Sequence, residues 1–531
     1  MTLPHEPTAS SATVSSAAVG RWMALTAALL GWLFDGAEMG LFSMVGRSAI
    51  QDLMQYGTTP TKEQEGLIGF YFGVVIAVFL VGAATGGVLF GWLGDRIGRV
   101  RAMSLSVVTY AVFTGLCGFA NAPWQIAVLR FIAALGMGGE WSLGVALVME
   151  VWPNRSRGLM AGLIGAAANV GYLLVGVIGL GLAAILTHME GWLLAMGFSA
   201  EWAASLVAYK GWRLLMLLGT APALLTFFFR LFVPESEKWQ HEQGRGTTSH
   251  WASRDLLGVL VGALGPGLII VVWSMNWPEG WSTSLITLVR LVGSAIGLVV
   301  ATCGYTYPVV RYLQRYAAQS DAAVRWQPII GRMLLAAGLA GVALLGTWGS
   351  TQWAPTWASQ LTKGELQSRE WTQIWLALGA CVGTIAAALV GHRFGRRVTY
   401  CLLCLASLAS ALWFFLANGE YNNPFLASAF LAGACTASFY GWLPLYLPEL
   451  FGTNVRATGQ GFGFNFGRIL AAVGALQTGA LMGLFTKDQV VLGVTIPQGY
   501  PLACSTMSLI YLVGMGLIWL APETKGKPLP E

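Results

Sequence analysis

Two carboxylates three residues apart, Asp35 and Glu38 in the stretch GWLFDGAEMGLFS (31–43), are the first residues whose types and spacing point to chemistry. They are the only charges between Trp22 and Gly46. As an α-helix that run is about 37 Å long, enough to cross a bilayer. An acid in the middle of such a helix costs roughly 2.5–3.5 kcal/mol on insertion scales. At i and i+3 the two side chains share a helix face, and a close pair of carboxyls in a dry site favours holding a proton. That is the chemistry of a proton carrier; the alternative is a structural pair hydrogen-bonded to neighbouring helices.

Three further ionisable groups stand in apolar surroundings. Arg130 and Glu140 lie ten residues apart on one predicted helix, about 15 Å along its axis and too far to pair directly. Glu140, near mid-membrane, extends a proton path from Asp35 and Glu38, and Arg130 lies nearer the outer face. Arg468 is the buried cation of the C-terminal half, and its planar fork suits bidentate binding of a carboxylate. It is expected to clamp a solute carboxylate, or else to balance Asp35, Glu38 or Glu140. Asn169 and Asn465 are mid-helix amides expected to line a cavity. In GTWGSTQWAPTWASQ (346–360), Gln352 and Trp353 precede Pro355 and suit a bending gate or a stacking wall, although indoles also gather at membrane interfaces.

These groups need helices that cross lipid. Of 531 residues 56% are hydrophobic and 10% charged, where a soluble protein carries about a quarter charged, and mean hydropathy is +0.64. Apolar runs of spanning length predict fourteen helices, near 22–47, 66–93, 102–120, 124–150, 158–187, 212–233, 256–275, 284–310, 330–357, 371–391, 398–417, 425–447, 457–484 and 501–520. With both termini cytoplasmic, 20 of the 30 basic residues fall on inner loops, seven outside and three within the membrane, as the positive-inside rule requires. The net charge of +6 is accounted for by those loops and calls for no nucleic-acid partner. The seven cysteines lie in or beside apolar segments, and the Cys401–Cys404 pair lacks further ligands, so no metal site is expected. No Walker lysine motif, Ser-His-Asp spacing or HExxH appears, which argues against an enzyme.

An internal repeat organises the chain. GDRIGRV (94–100) recurs as GHRFGRR (391–397), EVWPNRSRG (150–158) as ELFGTNVRATG (449–459), ANVGY (168–172) as FNFGR (464–468), and VPES (233–236) as APET (521–524). The expected plan is a cytoplasmic tail (1–19), a six-helix bundle (20–233), a loop (234–255), an extra helix pair with a basic loop (256–328), a second six-helix bundle (329–520) and a short tail (521–531). The charges at the inner helix ends, Asp95, Arg99, Glu150, Arg157, Glu449 and Arg456, are expected to tie the halves together when that side is closed. In the second loop copy His392 stands where the first has Asp95.

These motifs resemble the major facilitator superfamily. GWLGDRIGRVR (91–101) is similar to its loop between helices 2 and 3, with Gly91, Asp95, Arg96, Gly98 and Arg99 in place; RFIAALGMGGEW, VPESEKW and APETKGKP resemble the sugar-porter and organic-acid branch. Asp35-Gly36-Ala37-Glu38, Gly139-Glu140-Trp141 and the extra helix pair resemble sialate:proton and aromatic-acid:proton symporters. The resemblance implies an all-α, multi-pass inner-membrane transporter, a monomer without cofactor, carrying a small organic acid or acidic sugar with H+ as coupling ion, Na+ being left open. Neutral-sugar symport, drug:proton antiport and a transporter-like sensor are the alternatives.

Overall fold

The computed structural model describes residues 11–57, 59–224, 228, 232–275, 277–278, 280–319, 325–484, 487–491 and 494–531. The N-terminal half contains α1 (Ser11–Leu53), α2 (Lys62–Ile97), α3 (Arg99–Leu116), α4 (Pro123–Val151), α5 (Arg157–Ala195) and α6 (Ala200–Leu218). After a short surface helix, α7 (Glu237–Gly244), come the extra pair α8 (Leu256–Ser274) and α9 (Thr283–Gln319). The C-terminal half contains α10 (Gln327–Trp348), α11 (Ala354–Leu361), α12 (Ser368–Phe394), α13 (Arg396–Ala417), α14 (Asn423–Thr436), α15 (Phe439–Tyr446) and α16 (Arg456–Leu484). A three-residue β-ribbon, β1 (Gln489–Val491) with β2 (Val494–Ile496), leads to α17 (Tyr500–Ser508) and α18 (Ile510–Leu517).

Twelve helical stretches among the described residues are long and apolar enough to cross a membrane. They match twelve of the fourteen expected spans. Of the other two, 457–484 falls in the 29-residue α16, and 212–233 includes 225–227 and 229–231, which lie outside the described residues. Residues 1–10 of the expected tail also lie outside them, while helix is already present from Ser11. One expected span is broken: α10 from α11 at Ser350, which has non-helical φ −129° and ψ −86°, whereas the turns at Ala437–Ser438 and Leu509 keep right-handed helical dihedrals.

The repeated loop is built from glycine and a remote carboxylate. Gly98 (φ 108°) ends α2 and opens α3, and Gly395 (φ 106°) does the same between α12 and α13. Glu235 accepts from the backbone N–H groups of Arg99 (2.9 Å) and Val100 (3.1 Å), and Glu523 from those of Arg396 (2.9 Å) and Arg397 (3.1 Å). A carboxylate there satisfies donors that a helix start leaves open.

The halves meet along two seams lined by small residues. On one, a Cβ at Gly91 of α2 would lie 2.7 Å from the Ala457 carbonyl oxygen of α16; on the other, a Cβ at Gly162 of α5 would lie 2.9 Å from Ile385 Cα of α12. Such close approach substitutes for a hydrophobic driving force inside lipid. The extra pair rests on the α2–α16 seam: the Tyr305 hydroxyl of α9 lies 2.8 Å from Thr85 Oγ1 of α2, and its ring packs edge-on to Phe466 of α16 at 6.5 Å. Residues 521–531 do not hang free. Tyr446 donates to the Pro522 carbonyl (2.7 Å), Arg456 to that of Pro530 (2.5 Å), and Leu529 is buried.

Candidate functional site

Between the halves lies a cavity of about 140 Å³, roughly ten times what one water needs. From α1 it takes Trp32, Gly36 and Met39, spaced so that one helix face lines it; Asn169 and Tyr172 come from α5, Thr347, Trp348 and Gln352 from α10 and the turn after it, Tyr440 from α15, and Phe464 and Arg468 from α16. Gly36 is required where it stands, because a Cβ there would collide with the Ala168 carbonyl.

Arg468 is 6% exposed, 5.5 Å from the Phe464 ring centroid, and its Nη1 has no hydrogen-bond partner among the described residues. Asp35, which does not line the cavity, is close enough to influence Arg468 electrostatically, without a direct ion pair between them among the described residues. Asp35 faces Glu140 of α4; Asp35 Oδ1 and both Glu140 oxygens lack hydrogen-bond partners among the described residues. Gly31 makes room for the Glu140 carboxylate, since a Cβ there would overlap Oε1. The buried Tyr110 hydroxyl, without a hydrogen-bond partner among the described residues, is close to both acids. Two carboxyls, a guanidinium and a phenol thus form one dry cluster whose guanidinium reaches the cavity.

Asp35 and Glu38 do not act as a pair. Glu38 forms an ion pair with Arg130, accepts from Thr114 Oγ1 at 3.3 Å, and leaves Arg130 between the rings of Phe42 (4.2 Å) and Phe79 (4.5 Å). The two acids turn to different neighbours on α4, Asp35 to Glu140 and Glu38 to Arg130. Neither these acids nor Arg130 lines the cavity itself.

The repeat-related amides also part company. Asn169 lines the cavity and donates to the Gly165 carbonyl (2.9 Å). Asn465 is fully buried away from it and donates to the Gly138 carbonyl of α4 (2.9 Å), pinning the seam. Gln352 lines the cavity and donates to the Tyr172 hydroxyl (3.2 Å), a bond between halves. Trp353 lines a second cavity beyond it.

At the basic end of the molecule the loop charges form a sealed lattice. Glu150 accepts from Arg99 Nη2 (3.1 Å), Arg456 Nη1 (2.7 Å) and Ser236 Oγ (2.5 Å). Asp95 pairs with Arg99 (3.2 Å) and accepts from the backbone N–H of Ala457 (3.2 Å) and Thr458 (2.9 Å) and from Thr458 Oγ1 (2.6 Å). A carboxylate of one half therefore caps a helix of the other. Glu449 pairs instead with Arg396 (2.6 Å) within its own half, while Arg157 binds the Met149 carbonyl (3.0 Å) and Asn154 and makes no ion pair among the described residues. Arg96 lies outside the lattice, donating to Ser253 (2.7 Å). His392 rests against Gly158 with Nδ1 unpartnered. Arg396, Glu235, Glu523, Tyr110, Tyr172 and Tyr440 were not singled out in the sequence; the offset of 297 that relates the two loops maps Arg99 onto Arg396 and was the available signal for that residue.

Residues 23–256 match the family described as Sugar (and other) transporter. The niacin transporter NiaP of Acinetobacter baylyi is 24% identical, with 94% of this chain and 93% of the relative covered. The cis,cis-muconate transport protein of the same species is also 24% identical, over 86% of this chain and 88% of the relative. Among solved structures, the proton:xylose symporter XylE bound to 6-bromo-6-deoxy-D-glucose superposes with a TM-score of 0.63 at 17% identity, covering 96% of this chain and 97% of that one. The chain has the major facilitator fold, and its matches are solute carriers and not enzymes.

Proposed function

We propose that the protein is a proton-coupled symporter of small carboxylated organic solutes, working by alternating access with the basic end on the cytoplasmic side. One observation carries the reading: a buried guanidinium in the cavity wall, Arg468, has an Nη1 with no hydrogen-bond partner among the described residues. Niacin and muconate, the solutes of the two relatives, are both carboxylic acids. An acidic sugar such as sialic acid falls in the same class.

The coupling follows from charge balance in a dry site. Without solute, Arg468 and Asp35 balance one another while Glu140 holds a proton. A solute carboxylate that engages Arg468 leaves Asp35 beside Glu140 with no countercharge, and an uncompensated buried ion costs several kcal/mol. A proton on the Asp35–Glu140 pair restores neutrality, so solute and proton enter together. The loaded cluster is neutral, and only a neutral cluster crosses the apolar interior cheaply when the halves rock.

Purified protein in liposomes with an imposed inward proton gradient tests this, using radiolabelled nicotinate, muconate, sialic acid and xylose. Uptake of one or more of the acids, abolished by Arg468→Gln, is expected. Uptake of xylose with none of the acids, or acid uptake unaffected by Arg468→Gln, contradicts it.

A further inference from the structure

Beyond the central cavity, away from the basic end, lies a second cavity of about 320 Å³. Its walls differ in charge from those of the first. Two guanidiniums, Arg47 of α1 and Arg369 of α12, line it, and no carboxylate is among its lining residues. Its aromatic walls include Trp353 and Tyr500, whose ring centroids are 5.9 Å apart, and Trp353 Nε1 is buried without a hydrogen-bond partner among the described residues. Tyr172, Trp348 and Gln352 belong to both cavities. Between them the hydrogen bond from Gln352 to the Tyr172 hydroxyl acts as a partition, one side chain from each half.

We infer that this vestibule is a second binding subsite, which takes a ring-bearing carboxylate before it passes the Tyr172–Gln352 partition to Arg468. The inference rests on the carboxylate reading above and adds a place and an order to it. The cations are available for the task. The Arg47–Glu65 ion pair has side chains 45% and 50% exposed, and such surface pairs contribute little, so Arg47 can exchange Glu65 for a solute carboxylate. Arg369 spends one Nη2 on the Ser43 carbonyl (2.9 Å), and its fork has further donors. A flat ring is suited to stack against Trp353 and Tyr500, with a ring acceptor facing the unused indole N–H. Two like charges at the mouth also concentrate anions there, an effect that salt suppresses.

Equilibrium dialysis of radiolabelled nicotinate, with the acyclic acid muconate and with xylose for comparison, against the purified full-length chain tests this. Wild-type protein is expected to bind an acid in two classes of site, the weaker lost in Arg47→Gln/Arg369→Gln and the tighter lost in Arg468→Gln. In liposomes the arginine double variant is expected to lose about tenfold in uptake efficiency at low salt, with the gap narrowing as salt rises. If the double variant is unstable, Arg369→Gln alone is expected to weaken the same class of site. A single class of site, lost in Arg468→Gln and untouched by the vestibular variants, overturns the subsite and leaves the carboxylate reading intact. Binding of xylose but of neither acid overturns both.

Discussion

Five ionisable residues in lipid-spanning helices stand at the centre of the account, and their pairing decides what each can do. Glu38 and Arg130 form a buried ion pair, with the guanidinium against two phenyl rings. Removing one partner of a buried pair strands the other charge, at a cost of about 3–5 kcal/mol, whereas replacing both with apolar groups of similar size is often neutral. Glu38→Gln is therefore expected to lower the thermal unfolding temperature sharply, and Glu38→Leu/Arg130→Met to recover most of the loss; equal losses in both variants would contradict a structural ion pair. Asp35 and Glu140 are different, since neither forms an ion pair among the described residues and the cation that influences Asp35, Arg468, lines the cavity. All five residues were legible in the sequence because a charge in an apolar run is costly enough to need a purpose. Their partners were not, because the choice of Glu140 for Asp35 and Arg130 for Glu38 depends on how α1 and α4 pack. Tyr110 and Tyr172 were not legible either, since a tyrosine in a membrane helix costs little and so signals little.

At the scale of elements, each half carries one tight turn with a carboxylate held over it. Gly395 sits at φ 106° and ψ 165° beside Glu523, a region essentially confined to glycine, where a Cβ costs about 1–3 kcal/mol. Gly395→Ala is expected to lower stability by that amount in thermal unfolding, with no loss from Gly419→Ala, where a Cβ meets open space. Partial burial would raise the Glu523 carboxyl, but the backbone N–H groups of Arg396, Arg397, Lys525 and Thr524 outweigh it and hold the group below its ordinary value of 4.5. Its stabilisation is then complete above that value and fades as pH falls further. The destabilisation caused by Glu523→Gln should accordingly be full at neutral pH and shrink in unfolding measured under strongly acidic conditions; a constant difference would contradict the cap. Spans and loop motifs were legible, because twenty-residue apolar runs and glycine punctuation are direct physical demands. Pro355 signalled a bend in its stretch without placing it at Ser350, and the seat of α8 and α9 on the α2–α16 seam was not legible, being fixed by contacts such as Tyr305 with Thr85 that no local pattern encodes.

The whole molecule is sealed at its basic end and hollow toward the other. Opening the sealed end must separate Glu150 from Arg456 and strip Asp95 from the start of α16. Contacts made in one state only bias the equilibrium between states, here by about 1–3 kcal/mol, or five- to 150-fold. Spin labels at Arg101 and Val398, repeat-related positions on the two halves, are expected to show a larger long-distance population in Glu150→Gln than in the wild type; an unchanged distribution would mean that the lattice does not set the balance. The twofold plan was legible from the repeat, and the asymmetry of the lattice only in part: His392 announced that one carboxylate was missing, but the recruitment of Arg456 to Glu150, with Arg157 left on carbonyl and amide oxygens, emerges from the packed loops.

The central claim is that solute and Asp35 compete for Arg468, so that solute binding obliges proton uptake. The most direct test is the pH change outside lightly buffered proteoliposomes on adding a transported acid, compared with solute exchange across the same membranes. The wild type should alkalinise the exterior as solute enters, and Asp35→Asn should still exchange solute but move no protons. Proton movement that persists in Asp35→Asn, or solute entry in the wild type with no alkalinisation, would contradict the claim.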